Sequence, residues 1–231
     1  MLPARKPILC YVTDLRGLEA APISSHAQSG FSAAAGTRSL RDSIRLAAAA
    51  GATWIQIREK DLEGGALTEL ARFAVSVTSG TSTSIFVNDR LDVALVAGAA
   101  GIHLGEKSLP LEVVTDWRRA SGRTDFLIGV SCHSLESARV AGAGGANYIF
   151  FGPVFTTPSK AEFGAPQGIE RLREVCASVR IPVLAIGGVN AETARACIEA
   201  GAAGIAAIRL FQDAENVTDI VGRLRACGAR L

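Results

Sequence analysis

The chain has 231 residues, of which 48% are hydrophobic and 20% charged, with a formal net charge of +2. That is apolar material for one large domain or two small ones, and the near-neutral balance excludes a general pull toward nucleic acid or acidic membrane surfaces, so any anion must be held locally. Five cysteines (Cys10, Cys132, Cys176, Cys197, Cys227) with no C-x-x-C pair argue against a disulfide framework or zinc site and for reduced thiols in a cytoplasm.

The N-terminus, MLPARKPILCYVTD, lacks the apolar run of a signal peptide, and no stretch approaches a membrane span without glycine or charge. The first predicted strand covers 8–13. Residues 16–37, RGLEAAPISSHAQSGFSAAAGT, follow without periodicity and read as a lid or a mobile insertion. SLRDSIRLAAAA then carries a helical pattern and leads to a strand over 54–58. Further strands are expected at 84–87, 101–103, 127–130, 148–151, 183–186 and 204–207. Between most of them lie helical patterns with apolar residues at i, i+3, i+4 and i+7: GALTELARFAVSVT, RLDVALVAGA, SLESARVAGA, GIERLREVCASV, NAETARACIEA and AENVTDIVGRLRAC.

A short phrase recurs along this series. AAGATWIQIR, VAGAAGIHLG, AGGANYIFFG and EAGAAGIAAI each place an Ala/Gly corner before an apolar strand, and Gly51 and Gly98 are 47 residues apart. Eight strands alternating with helices predict a parallel (β/α)₈ TIM barrel, one α/β domain spanning 1–231 with the irregular insertion after its first strand. A doubly wound open sheet is the alternative, but no G-x-G-x-x-G follows the first strand.

In such a barrel the residues just past each strand share one mouth. In TWIQIREK, Gln56, Arg58 and Lys60 fall on one face and Ile55 and Ile57 on the other, so an amide and two cations converge at the strand's end. VNDR brings Asn88, Asp89 and Arg90 to the same rim, SCHS brings Ser131 and His133, and GPVFTTPSK ends in Lys160. Arg58, Lys60 and Lys160 suit a pyrophosphate, and Asp89 suits a magnesium ion bridging it. The structural alternative is a salt-bridge cluster of Arg58, Glu59 and Asp89 closing the barrel top. Gly187–Gly188 after the seventh strand suits close backbone approach to a phosphate, or a tight turn. His133 is either a proton carrier or part of a helix start. His103 and Cys132 read as structural, and the three histidines (with His26) are too scattered for a metal cluster.

Together these motifs resemble the thiamine-phosphate synthase family. The likeness runs from YVTD at 11–14 to GIAAI at 204–208 through QIREK, VNDRLDVA, GIHLG, IGVSCHS, YIFFGPVFTTPSK and PVLAIGGVN. It implies a (β/α)₈ barrel that joins a pyrimidine diphosphate to a thiazole phosphate, with pyrophosphate leaving first and the thiazole nitrogen attacking a pyrimidine-stabilised cation. Carried over by motif, Gln56, Arg58, Lys60, Asn88, Ser131 and Lys160 would hold the pyrimidine diphosphate, with Arg58, Lys60, Ser131 and Lys160 in catalysis. Asp89 would hold Mg²⁺. Thr157, Ser159, Gly188, Ile208 and Arg209 would meet the thiazole phosphate. The implied partners are these small molecules, with no nucleic acid and no membrane; a homo-oligomer is compatible with the sequence.

Two departures stand out. The family phrase carries an acidic residue where HLGEKSLP has Ser108, with Glu106 as the nearby substitute; and a serine usually follows the last strand where this chain has Arg209. A sister family of thiazole tautomerases shares the fold and the S-x-H-S phrase, and a non-catalytic barrel binding thiamine precursors is a third reading.

Overall fold

The computed structural model describes residues 6–19, 38–157 and 165–228. Eight parallel strands close on themselves in chain order: β1 (Ile8–Val12), β2 (Trp54–Ile57), β3 (Ser84–Asn88), β4 (Gly101–Leu104), β5 (Leu127–Cys132), β6 (Tyr148–Phe151), β7 (Val183–Ile186) and β8 (Gly204–Ala207). The helices are α1 (Leu15–Glu19), α2 (Leu40–Ala49), α3 (Gly64–Thr78), α4 (Leu91–Ala97), α5 (Leu111–Ala120), α6 (Leu135–Ala143), α7 (Gly168–Ser178), α8 (Ala194–Glu199), α9 (Arg209–Gln212) and α10 (Val217–Gly228). This is the expected (β/α)₈ barrel. No described helix is long and apolar enough to cross a membrane, and the five cysteines are free thiols.

Two apolar layers follow from strand alternation. Ile55, Ile57, Ile85, Val87, Ile102, Ile128 and Ile149 face outward into the shell shared with the helices. Cys10, Val12, Phe86, Tyr148, Phe150, Leu184 and Ala206 fill the barrel interior, with Trp54 packed against them. Trp54 lies 4.9 Å from Phe86 and 4.6 Å from Tyr148, centroid to centroid. Such aromatic pairs add about 0.5–1.5 kcal/mol each beyond area burial.

The recurring Ala/Gly corner has a backbone cause. Gly51, Gly98, Gly145 and Gly201 have φ of 86°, 71°, 93° and 102°. Each turns the chain from a helix end into the next strand through a left-handed conformation that side chains disfavour. Helix starts are also local: Ser39 caps α2 through the Asp42 N–H at 3.1 Å, and Ser134 and Ser137 form a reciprocal capping box at α6.

The structure departs from expectation in three places. Helix α5 has no counterpart among the sequence patterns; it buries Val114 and Thr115 and packs Leu111 and Trp117 partly against the core, while Val113 is exposed. Residues 16–19 are the greater part of helix α1, and the rest of the expected insertion, 20–37, lies outside the described residues. Strand β5 runs on to Cys132, through pairing of Ser131 with Phe150 and Cys132 with Phe151, so Ser131 lies within the strand and not past it.

Candidate active site

Parallel strands bring all their carboxyl ends to one mouth. At β2 the Gln56 side chain points into the barrel and is 2% exposed. Its Nε2 donates to Asn88 Oδ1 at 2.9 Å, and Asn88 Nδ2 donates to Asp89 Oδ2 at 2.7 Å. The Ser108 hydroxyl, in the loop after β4, donates to Asp89 Oδ1. A continuous polar line thus crosses β2, β3 and the β4 loop. Asp89 has φ of 62°. Its N–H is held by His103 O at 2.9 Å, and the Arg90 N–H turns back to Asn88 O at 2.8 Å. A non-glycine residue in this region costs about 1–3 kcal/mol and is found where surrounding structure fixes a functional side chain.

Lys60, Asn88, Asp89 and Arg90, with Glu59, Leu62 and Leu67, line a cavity of about 260 Å³. Lys60 is exposed and Arg58 half-buried. Among the described residues neither cation is in an ion pair, so the alternative of a closed Arg58–Glu59–Asp89 cluster fails. Arg90 instead pairs with Asp92 at 2.6 Å on the surface, a contact of small energetic weight.

Glu59 continues the outward face of Ile55 and Ile57. It is 8% exposed, and its Oε2 accepts the Leu15 N–H at 2.9 Å. Its Oε1 has no hydrogen-bond partner among the described residues. Burial raises the Glu59 pKa above the usual carboxylate value, against the opposing pull of hydrogen bonds from Thr13 and the Leu15 N–H. From the other side, Gln212 Nε2 donates to Asp14 O at 3.0 Å. The corner after β1 is therefore pinned by two buried side chains that motif spacing did not single out as site residues. The continued alternation 55, 57, 59 could have found Glu59; nothing local marks Gln212.

Asp14 of that corner is also on the wall of a second cavity, of about 290 Å³. Thr156, Thr157, Gly187, Gly188, Ile208 and Arg209 line it, with Asp14 and Gln212 among the others. Gly187 and Gly188 have φ of 90° and 66°. A Cβ on Gly187 would meet Pro153 Cα at 2.6 Å, and one on Gly188 would meet Thr156 O at 2.5 Å. The loop after β6 lies that close because Val154 N and Phe155 N bond to Ile186 O and Gly187 O, at 2.9 and 3.0 Å. The glycine pair is thus required by packing and also lines a cavity with bare backbone.

Ser131 Oγ lies 2.9 Å from His103 Nε2. His133 Nδ1 bonds to Gly152 O, tying the end of β5 to the end of β6, and its Nε2 is 3.7 Å from Glu106. Cys132 is 1% exposed, and burial pushes its thiol up to about 11; a thiol that stays protonated packs and does not attack. Ser159 and Lys160 lie outside the described residues.

The corner at Asp89 bears on magnesium. Among the described residues, no three His, Cys, Asp or Glu side chains are grouped to hold a metal ion. Glu106 is turned to His133. What remains is one carboxylate beside a hydroxyl. That set does not form an all-protein cage, but it fits magnesium, which keeps several waters and takes one or two carboxylates plus substrate phosphate oxygens.

Residues 30–211 match the family model described as thiamine monophosphate synthase. A thiamine-phosphate synthase of Moorella thermoacetica is 40% identical over 190 residues, 82% of this chain and 89% of the relative. One of Methanocella arvoryzae is 42% identical over 182 residues, 79% of this chain and 84% of the relative. The solved structure of a thiamine phosphate pyrophosphorylase from Pyrococcus furiosus superposes with a TM-score of 0.78 at 33% identity, covering 97% of this chain and 96% of the other. Shared over most of the chain, this likeness makes the chain a member of the thiamine monophosphate synthase family.

Proposed function

We propose that this chain acts as a thiamine-phosphate synthase, joining an aminopyrimidine diphosphate to a thiazole phosphate with release of pyrophosphate. The observation that most supports this is a pair of cavities lined by residues past the strand ends, of about 260 and 290 Å³. Two phosphorylated substrates need two anion-suited places. The first has Lys60 and Asp89 on its wall and Arg58 beside it. The second has the Gly187–Gly188 backbone, Thr157 and Arg209.

On this reading Gln56, Asn88 and Ser131 orient the pyrimidine diphosphate, and Arg58, Lys60 and Lys160 neutralise the leaving pyrophosphate. Thr157, Ser159, Gly188, Ile208 and Arg209 hold the thiazole phosphate. Asp89, with Ser108 beside it, would hold magnesium, which when bound supplies further positive charge to the diphosphate. The protein has little covalent chemistry to perform. It aligns two rings and stabilises departing charge, and such alignment alone can supply about 7–11 kcal/mol of a barrel enzyme's barrier reduction. The five free thiols support a reducing, cytoplasmic setting.

The test is direct. Purified protein with magnesium and both precursors should yield thiamine phosphate and an equal amount of pyrophosphate. Isomerisation of the thiazole without pyrophosphate release would move it to the tautomerases, and tight binding of precursors without either reaction would make it a binding barrel.

A further inference from the structure

Inside the barrel runs a second polar line. His103 on β4 is 1% exposed. Its ring stacks on Phe150, with centroids 4.1 Å apart, and tilts against Tyr148 at 5.6 Å. Nδ1 lies 3.3 Å from the Tyr148 hydroxyl and Nε2 lies 2.9 Å from Ser131 Oγ. Sheet register sets up the contact: His103 pairs with Gly129 on β5, and Gly129 with Tyr148 on β6. A Cβ on Gly129 would overlap the Tyr148 ring and hydroxyl, so that glycine is what lets the phenol reach the imidazole.

Proton placement gives this line a direction. A neutral imidazole has one donor and one acceptor nitrogen. Burial pushes the Tyr148 phenol well above its usual range, so it keeps its proton. A buried hydroxyl proton without an acceptor is costly. Among the described residues, the His103 ring is the group that hydrogen-bonds this hydroxyl. Tyr148 therefore donates to Nδ1, the ring proton sits on Nε2, and Nε2–H donates to Ser131 Oγ. The Ser131 hydroxyl proton is then left to point away from His103.

We propose that His103, held in the Nε2–H tautomer by Tyr148, is a positioning residue that makes Ser131 a hydrogen-bond donor to an acceptor atom of the bound pyrimidine diphosphate. The kinetic part rests on the function proposed above; the tautomer does not.

The experiment has two arms on the full chain. With ¹⁵N-labelled histidine, assigned by loss of signal in His103→Asn, His103 should show a protonated Nε2 and a bare Nδ1. Tyr148→Phe should bring in the Nδ1–H form. In steady-state synthesis, Tyr148→Phe should lower kcat/KM about tenfold, the scale of one oriented hydrogen bond. The double variant Tyr148→Phe/Ser131→Ala should be no slower than Ser131→Ala alone, because the relay acts only through that hydroxyl. A protonated Nδ1 in the wild type overturns the proposal whether or not the variants fold, and so do losses that multiply in the double variant. Absence of synthesis by the wild type would count against the proposed function and leave the tautomer to be decided by the spectrum.

Discussion

The Ser108 hydroxyl donates to Asp89 Oδ1, and the Gly105 N–H reaches both oxygens, at 2.5 Å from Ser108 Oγ and 3.3 Å from Asp89 Oδ1. A carboxylate at position 108 would repel Asp89 unless a cation lay between them; the serine instead bonds it. Ser108→Asp is expected to lower the magnesium concentration for half-maximal activity, and to melt at a lower temperature than the wild type in chelator. Activity titrations and thermal melts with and without magnesium check both. Full wild-type activity in excess chelator would remove magnesium from the reaction.

Lys160→Ala is expected to lower turnover by about 10²–10³, the cost of losing one donor that stabilises departing charge. Lys60 is exposed on the wall of the first cavity, and Lys60→Ala should act in the same direction. Circular dichroism should show both variants folded. Normal turnover in either would strike that cation from the set.

His133 ties two strand ends together through Gly152 O. A coupling in which pyrophosphate leaves first has no step limited by a histidine proton. His133→Ala should therefore slow synthesis less than Lys160→Ala, with part of the loss appearing in KM as the mouth loosens. The reverse ranking, accompanied by thiazole isomerisation, would favour tautomerase chemistry.

Glu59 gives a pH signature of stability. Its folded pKa is raised above the ordinary 4.5, with burial the largest cause. A carboxyl raised on folding binds its proton more tightly in the folded state. The stability that it contributes is full below the unfolded pKa and is lost as pH rises through the folded one. Glu59→Gln keeps an acceptor for the Leu15 N–H and removes the charge. The difference in melting temperature between variant and wild type should grow in the variant's favour as pH rises from about 4.5. Melting curves across that range test it; a difference that shrinks with pH would mean the buried carboxylate is stabilised by partners outside its Leu15 contact.

Much of the fold was legible locally. Strand positions came from short apolar runs, and most helices from their 3.6-residue stripe. The Ala/Gly corners announced helix-to-strand turns, and the structure finds all four in the left-handed region. Helix α5 was not read from its stretch, LEVVTDWRRA. The rim was half legible. QIREK and NDR put the amides, cations and Asp89 at strand ends, since a barrel converts "past the strand" into "at the mouth".

What the sequence by itself determined was therefore the period, the turns and the inventory of charges at the rim. Only the tertiary structure decided which of those charges pair. Glu59 meets Leu15 from 44 residues away, and Gln212 meets Asp14 from 198. Ser108 closes on Asp89 across two strands' loops, and Tyr148 reaches His103 because Gly129 clears space for its ring. These contacts join residues that only the folded barrel brings together, and neither partner carries a mark of the other in its own stretch of chain.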